Sequence, residues 1–245
     1  MRRFFVEPGD VVGSNITITG DDVNHIKNVL RMKVGDILNI SDGSDKEYVC
    51  EIESIDEDAV SCCITDVNAS YSELKTEITL FQGLPKGDKL ESIVQKTVEL
   101  GVTRIVPVAM KRSVVKLDEK KAAKKVERMN AIALAAAKQS KRTVIPEVCP
   151  VMDFKAAVAF SKSLDRVLVP YESAEGIEGA KREIKAVHEV KSLGIFIGPE
   201  GGFDPLEIEG LEGIGARTIT LGHRILRTET AGMAVMSILM FELEE

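Results

Sequence analysis

The chain has 245 residues, of which 44% are hydrophobic and 29% are charged, a globular composition that suffices for one large or two modest domains. No apolar run approaches the roughly 18 residues of a membrane-spanning helix, and charges and Pro8 interrupt any signal-peptide core, so we expect a cytoplasmic protein that does not bind membranes. The four cysteines and three histidines lack the spacing of a disulfide framework or a metal site, which predicts reduced thiols and no metal.

The net charge of −7 is distributed unevenly along the chain. Between Lys111 and Arg142, eleven basic residues accompany three acidic ones, so this segment carries +8 and the rest of the chain −15. Of the six basic residues in the first 70 positions, five lie before residue 35, namely Arg2, Arg3, Lys27, Arg31 and Lys33. Two separated basic segments on an acidic body favour a polyanionic partner that is bound at chosen points. For residues 120–128, the solvated face of a helix is an equally good interpretation.

Residues 1–70 are predicted to form a small β-rich domain. Short apolar or alternating segments separated by glycine and aspartate turns predict strands at 11–18, 37–40, 48–52 and 60–64. A helix is predicted at about 21–30, and the polar residues 68–76 predict a linker. Several short strands at this spacing favour a barrel or a compact sandwich.

From residue 77 the pattern changes to strands that alternate with helices, which is typical of a parallel α/β sheet. Strands are predicted at 78–83, 102–108, 144–148, 166–170, 193–197 and 217–221. A helix is predicted at 88–100, capped by Asp88 and Glu91 and ended by Gly101, and further helices at 130–137 and 231–243. The last is apolar enough to be buried either in a dimer interface or within one subunit.

Two glycine-containing segments follow predicted strands near the end of the chain. They are Gly198-Pro199-Glu200-Gly201-Gly202 and the segment 221–230, Leu-Gly-His-Arg-Ile-Leu-Arg-Thr-Glu-Thr. Ligands of open α/β sheets bind where loops leave the carboxyl ends of strands, so the pair predicts a small-molecule pocket. Either segment alone is better explained as a strand-to-helix turn that needs positive φ, and it is the presence of both that favours a site. Neither dinucleotide nor P-loop phosphate motifs occur, so a ligand would be held by backbone groups and apolar side chains, as suits an adenine and a ribose.

Several motifs, in order along the whole chain, resemble those of one known family. They are Arg2-Arg3-Phe4-Phe5, His25 to Gly35, Glu99-Leu100-Gly101-Val102, Arg112-Ser113-Val114, Gln139-Ser140-Lys141-Arg142, Ile197 to Phe203, and Leu221 to Ala231. The chain thereby resembles the bacterial RsmE family, the uridine-N3 methyltransferases of 16S ribosomal RNA.

This resemblance implies a fold, a cofactor and partners. It implies an N-terminal PUA-like RNA-binding β-barrel over 1–70 and a C-terminal SPOUT-type α/β knot over 71–245. It further implies S-adenosylmethionine as cofactor, a homodimer, and 16S ribosomal RNA within the small ribosomal subunit as partner. The family usually has an acid where this chain has Lys138, and a small residue is common where it has Lys141.

Candidate site residues follow from the motifs and the resemblance together. The cofactor is expected to contact Ile197, Gly198, Gly202, Leu221, Gly222, Ile225, Leu226, Tyr171 and Glu172. Arg112 and Arg227 are candidates for stabilising uracilate oxygens, and Glu200 or Glu229 for accepting the N3 proton. An ion pair or a helix N-terminus explains both acids equally well. RNA contacts are expected from Arg2, Arg3, Lys27, Arg31, Lys138 and Arg142.

Other functions stay open at this point. A knotted methyltransferase could act on transfer RNA or on a 2′-hydroxyl, and an RNA-binding ribosome-assembly module could carry a vestigial cofactor pocket. A nicotinamide dehydrogenase is less favoured, because its glycine fingerprint is missing.

Overall fold

The computed structural model describes residues 3–44, 46–69, 71–171 and 176–244. The chain divides into two compact units. The first comprises Met1–Glu73 together with Ala137–Ile145, and the second comprises Leu74–Ala136 and Pro146–Glu245. No helix in the described part of the chain is long and apolar enough to cross a membrane.

The first unit is built on a mixed six-stranded sheet. Its strands are β1 Arg3–Phe5, β2 Val11–Val12, β3 Asn15–Thr19, β4 Ile37–Ser41, β5 Lys46–Ile55 and β6 Ala59–Ala69. They lie in the order β1-β4-β5-β6-β3-β2, with β1 parallel to β4 and the other pairs antiparallel. A short helix, α1 Asp21–Asn24, continues as a π-helical turn over His25–Val29.

Alternating side chains of these strands form the core of the first unit. Ile16 and Ile18, Leu38 and Ile40, and Cys50 and Ile52 are buried in pairs two residues apart, as strands with one inward face require. Residues 11–18 were predicted as a single strand, but a turn at Gly13, with φ of 62°, makes them a hairpin of β2 and β3. Burial raises the pKa of the Cys50 thiol to about 12, so this free cysteine stays protonated.

The second unit is built on a seven-stranded parallel sheet flanked by helices. Its strands are β7 Glu77–Gly83, β8 Arg104–Ala109, β9 Glu147–Val148, β10 Met152–Asp153, β11 Arg166–Pro170, β12 Ser192–Ile197 and β13 Arg217–Ile219. Its helices are α2 Lys89–Glu99, α3 Glu119–Ser140, α4 Phe154–Ser161, α5 Gly176–Lys185, α6 Pro205–Glu212 and α7 Thr228–Leu243. The strand order is β10-β8-β7-β12-β11-β13, and β9 pairs with β8.

Helix α2 shows how the sequence pattern produces this layer. Leu90, Ile93, Val94 and Val98 are buried at helical spacing, as predicted, and Gly101 follows the helix with φ of 94°. Asp88 is the N-cap residue, but its side chain makes no capping hydrogen bond, so the predicted capping box with Glu91 is wrong. The helix is therefore held mainly by its apolar face.

The order of the strands brings three loops to one edge of the sheet. Strands β12, β11 and β13 are neighbours and parallel, so the chain leaves all three at the same carboxyl edge. After β13, residues 220–227 lead into α7, which packs against α2 and β12. The two glycine-containing segments thereby meet although they follow different strands.

The end of α3 and the residues that follow it, Ala137–Ile145, belong to the first unit. The Ser41 hydroxyl donates a 2.7 Å hydrogen bond to the Thr143 carbonyl oxygen. Glu73 binds the Arg142 guanidinium at 2.5 Å and accepts a 2.9 Å bond from the Thr143 amide. These bonds fix the segment 137–145 to β4 and to the residues that precede β7.

Candidate active site

A cleft opens in the second unit at the carboxyl edge of β11, β12 and β13. It consists of two adjoining pockets of about 400 and 560 Å³, which share five residues: Pro170, Tyr171, Ile225, Leu226 and Ala231. One pocket adds Ile197 to Glu200 with Gly202, Phe203, Lys89, Arg227 and Thr228, and the other adds Thr220 to Arg224. The structure thus brings both glycine-containing segments and Tyr171 to a common cavity.

The loop after β12 depends on close backbone packing. Gly202 has φ of 67°, and its amide donates a 2.9 Å bond to the Pro199 carbonyl oxygen, which closes a tight turn. A side chain on Gly83 at the end of β7 would place its Cβ 2.6 Å from the Pro199 nitrogen. The loop can therefore reach this position only because β7 ends in glycine.

The loop after β13 forms the opposite wall. Gly222 has φ of 108°, and its amide donates a 3.2 Å bond to the Thr220 hydroxyl. A Cβ on Gly222 or on Gly202 would meet no atom within 4 Å, so both glycines face open space. Ile225 is 90% exposed. This wall offers backbone groups and apolar surface together with the exposed cation of Arg224.

A chain of hydrogen bonds joins the two loops to β7. The buried Gln82 amide donates to the Thr228 hydroxyl at 2.8 Å, and Thr228 donates to the Gly198 carbonyl oxygen at 2.6 Å. Sequence reasoning did not identify either residue. A glutamine directly after Leu80 and Phe81 in a buried strand was the signal that could have identified Gln82, because buried polar side chains need partners.

The two candidate acids differ in their surroundings. Glu200 accepts hydrogen bonds from the Lys89 ammonium at 2.8 Å and from the Lys86 amide at 3.1 Å. Burial acts to raise the pKa of Glu200, but the hydrogen bonds from Lys89 and from backbone amides outweigh it, and the pKa lies below its ordinary value. Glu200 is therefore an ion-paired anion, as the alternative interpretation stated, and a weak proton acceptor.

Glu229 lies in the first turn of α7, 3.7 Å from the Lys89 ammonium. Its Oε2 atom is buried and has no hydrogen-bond partner among the described residues. This oxygen therefore has the Lys89 ammonium as an ion-pair partner and keeps an unused capacity to accept a hydrogen bond. Lys89, which sequence reasoning also missed, thus lies between the two candidate acids.

The two candidate arginines also differ. Arg227 is the exposed N-cap residue of α7; its carbonyl oxygen accepts a 2.8 Å bond from the Ala231 amide, but its guanidinium makes no hydrogen bond or ion pair with any described residue. The Arg112 guanidinium donates to the Gly201 carbonyl oxygen at 3.2 Å and lies 3.9 Å from Asp204, and a Cβ on Gly201 would lie 3.0 Å from the Arg112 Cβ. Arg112 therefore supports the β12 loop from outside, whereas Arg227 projects from the cleft wall.

Comparison with known proteins places this site in a family. A family model described as "RNA methyltransferase domain" matches residues 72–240, and one described as "RNA methyltransferase PUA domain" matches residues 18–65. The chain is 39% identical over 250 residues to the ribosomal RNA small subunit methyltransferase E of Bacillus subtilis, covering 100% of this chain and 98% of the relative. The chain belongs to the ribosomal RNA small subunit methyltransferase E family.

Solved structures support this membership and the fold. A ribosomal RNA small subunit methyltransferase E from Neisseria gonorrhoeae bound to S-adenosylmethionine is similar over 98% of this chain and 97% of its own, with 28% identity and a TM-score of 0.82. A structure from Legionella pneumophila in complex with the same cofactor covers 97% and 96%, with 32% identity and a TM-score of 0.79. The predicted fold, a SPOUT-type α/β knot with a PUA-like domain, is confirmed.

The predicted RNA-contacting residues lie in the first unit and differ in side-chain exposure and in their ion-pair partners. Lys27 and Arg31 are exposed, whereas the Arg3 side chain is 9% exposed and paired with Glu47. The Lys138 ammonium binds both Asp22 oxygens at 2.9 Å, and the Arg142 side chain is 3% exposed against Glu73. Arg142 thus forms a structural ion pair with Glu73 in this conformation. Arg2 and Glu172 lie outside the described residues.

The cleft suits the cofactor that the family resemblance implies. Its walls supply exposed backbone at Gly202 and Gly222 and apolar side chains at Leu226 and Ile197, as an adenine and a ribose require. Lys89, Arg224 and Arg227 line the cleft, but the loops lack the glycine-rich phosphate motifs of nucleotide-binding sites. The described residues contain no group of three or more histidine, cysteine or acidic side chains that could hold a metal ion.

Proposed function

We propose that this protein transfers a methyl group from S-adenosylmethionine to N3 of a specific uridine in 16S ribosomal RNA. The observation that carries this proposal is the cleft itself, in which a backbone-lined pocket includes Arg227 and Lys89, and Lys89 lies 3.7 Å from the Glu229 Oε2 atom. Membership of the methyltransferase E family supports the choice of substrate.

The cofactor would be held by the two glycine-containing loops. Ile197, Gly198 and Gly202 form one wall, Leu221, Gly222, Ile225 and Leu226 the other, and Tyr171 the end between them. The Tyr171 ring packs edge-on against Phe203 with centroids 6.2 Å apart, which fixes this end of the cleft. When bound, S-adenosylmethionine supplies a methyl group that is carried by a sulfonium sulfur. Loss of the methyl group turns this sulfonium into a neutral thioether.

The protein must then present a uracil whose N3 has lost its proton. Base chemistry requires an extruded or single-stranded nucleotide, because N3 is otherwise paired. We assign Glu229 to accept this proton, directly or through water, because its Oε2 atom lacks a donor. We assign Arg227 to stabilise the negative charge that develops on the uracil oxygens, since no carboxylate neutralises its guanidinium among the described residues.

Arg112 and Glu200 act on the loop in this proposal. Glu200 binds Lys89 and the Lys86 amide, and Arg112 binds the Gly201 carbonyl oxygen, so both hold the 198–202 turn in place. Positioning of this kind contributes to catalysis because the nucleophile and the methyl donor must be aligned. Both residues would lower activity on substitution by displacing the loop.

The two domains divide binding and chemistry in this proposal. Residues 1–70 would form the RNA-binding domain and residues 71–245 the methyltransferase domain, with 16S ribosomal RNA presented within the small subunit. We also propose a homodimer, supported by the exposed apolar side chains of Ile238 and Phe241 on α7, which are 44% and 82% exposed.

One experiment tests the function directly. Purified protein is incubated with methyl-labelled S-adenosylmethionine and either small subunits, free 16S RNA or transfer RNA, each from cells that lack the modification. Mass spectrometry of nucleosides should find labelled N3-methyluridine in the ribosomal samples alone. Label at a 2′-hydroxyl, label in transfer RNA, or no transfer at all would contradict the proposal.

A further inference from the structure

Lys141 stands at the end of α3 in a backbone conformation that favours glycine. Its φ is 61°, and the following amide, of Arg142, donates a 3.0 Å bond back to the Ala137 carbonyl oxygen. This is the Schellman arrangement, in which the left-handed residue after a helix is usually glycine. A lysine here carries a backbone strain that glycine would avoid.

A second basic residue has the same feature. Among the described non-glycine residues, only Lys141 and Arg31 have positive φ, and the φ of Arg31 is 54°. Arg31 is also exposed, and it also follows a helical segment, the π-helical turn that ends at Val29. Strained backbone is found preferentially where function over-determines the conformation. Both strained positions in the first unit hold an exposed cation.

The neighbours of Lys141 are fixed by ion pairs. Three residues earlier, Lys138 binds both oxygens of Asp22, and one residue later, the buried Arg142 binds Glu73. These two contacts hold the backbone on both sides of Lys141. The two flanking cations are consequently neutralised by protein carboxylates, and Lys141 is the exposed cation between them.

The Lys141 ammonium has no acid of its own. It makes no hydrogen bond and no ion pair within 4 Å with any described residue. Its charge influences Glu47, but that carboxylate already binds Arg3 and accepts a 2.5 Å bond from the Asn39 amide. The positive charge of Lys141 is therefore directed to solvent from an anchored backbone.

We propose that Lys141 is a phosphate-binding residue of this chain and contacts the backbone of the RNA substrate. This inference rests on the proposed function, since it assumes an RNA partner. Within residues 137–145, Lys138 and Arg142 were the predicted RNA contacts, but they are bound to Asp22 and Glu73. The RNA contact in this segment is therefore assigned to Lys141. An ammonium held on a fixed backbone meets a phosphodiester oxygen without ordering the main chain further.

Lys141→Gly separates binding from folding, because glycine suits the left-handed backbone and removes only the side chain. RNA affinity is measured by fluorescence anisotropy between 50 and 200 mM salt with a labelled 16S fragment that the wild type methylates. Loss of one phosphate contact should weaken binding at 50 mM salt, and the deficit should shrink by about threefold at 200 mM. The melting temperature should stay at or above that of the wild type.

Two further variants serve as controls. Lys141→Arg keeps the charge and should keep the affinity and its salt dependence. Lys162→Gly removes another exposed lysine at a helix end, where φ is −64°, and should leave RNA affinity unchanged. Wild-type affinity in Lys141→Gly, or a fall in its melting temperature, would overturn the inference. Failure of the wild type itself to bind or methylate RNA would instead contradict the proposed function.

Discussion

The Thr228 hydroxyl donates a 2.6 Å hydrogen bond to the carbonyl oxygen of Gly198. Gly198 belongs to the segment 198–202 and Thr228 to the segment 221–230. The same hydroxyl accepts a bond from the buried amide of Gln82, 146 residues earlier in the chain. A side chain at the N-terminus of α7 thus fixes the distance between the two walls of the cleft. The entry of α7 is thereby part of the proposed cofactor site.

Thr228→Val should weaken cofactor binding by about tenfold and lower the free energy of unfolding by about 1–3 kcal/mol. Valine has nearly the same shape, but it leaves both the Gly198 carbonyl oxygen and the Gln82 amide without this partner. Calorimetric titration with S-adenosylmethionine and urea unfolding measure the two effects. Thr228→Ser retains the hydroxyl and should bind the cofactor as the wild type does; equal affinity in the valine variant would show that the bond does not position the loops.

Gly83→Ala should displace the β12 loop. The new Cβ would lie 2.6 Å from the Pro199 nitrogen and 2.7 Å from its Cδ, and backbone atoms cannot move aside as a flexible side chain can. We expect a loss of about 1–3 kcal/mol in unfolding free energy and at least tenfold weaker cofactor binding. Gly210→Ala is the control, because its Cβ would meet Phe154 at an ordinary 3.8 Å within α6. Undiminished cofactor affinity in Gly83→Ala would contradict the role of this close approach.

The alternation of strands and helices along the chain, and the positions of the two glycine-containing segments after strands, could be predicted because local signals carry them. The buried strand β11 has its predicted bounds, and α2 differs by one residue at each end. Helix α6 was missed although Asp204, Pro205 and Glu207 form a capping box and a proline start that are visible in the sequence.

Long-range pairings could not be predicted. The partners of Lys138 and Arg142 lie 116 and 69 residues away, and nothing in the local sequence indicates that these cations meet Asp22 and Glu73. For the same reason, local sequence could not distinguish Glu200, which accepts a hydrogen bond from Lys89, from Glu229, whose Oε2 atom forms a longer ion pair with Lys89 and accepts no hydrogen bond from a described residue. Charge in the sequence therefore identified candidates but could not separate their surroundings in the fold.

Glu200→Gln should change the pH dependence of stability. Because the folded-state pKa of Glu200 lies below its ordinary 4.5, this carboxyl stabilises the fold above that pH, and the contribution is lost as the pH falls through the folded value. The wild type should therefore exceed the variant in unfolding free energy near pH 6–7, and the difference should vanish in the acid range. Urea unfolding between about pH 3 and 7 measures this. Glu212→Gln, which removes an exposed acid without an ion pair among the described residues, should give no such trend.

Arg227→Ala should lower kcat by about 10²–10³-fold with little change in cofactor affinity, because its guanidinium is assigned to charge that develops during transfer. Arg217→Ala removes an exposed arginine of β13 and should have normal turnover. Single-turnover methyl transfer to small subunits measures the rate, and calorimetry measures cofactor binding. A loss of affinity without a loss of rate would assign Arg227 to binding.

Glu229→Gln should lower kcat by about 10²–10⁴-fold if this carboxylate accepts the N3 proton. The remaining activity should rise with pH, since hydroxide and water then take the proton. Glu200→Gln should lower activity less and mainly through weaker cofactor binding, because Glu200 holds the loop through Lys89. A Glu229→Gln variant with near-normal turnover across the pH range would remove Glu229 from the mechanism.

Glu73→Ala should destabilise the first unit by about 2–4 kcal/mol. The Arg142 side chain is only 3% exposed, so removing Glu73 takes away the carboxylate that binds this buried guanidinium. The effect is smaller than for a fully buried pair because Glu73 is 20% exposed. Urea unfolding followed by circular dichroism measures the loss. Asp118→Ala breaks the solvent-exposed pair with Lys121 and should leave the unfolding midpoint unchanged. If Glu73→Ala were equally stable and bound RNA more tightly, Arg142 would be an RNA contact that Glu73 restrains.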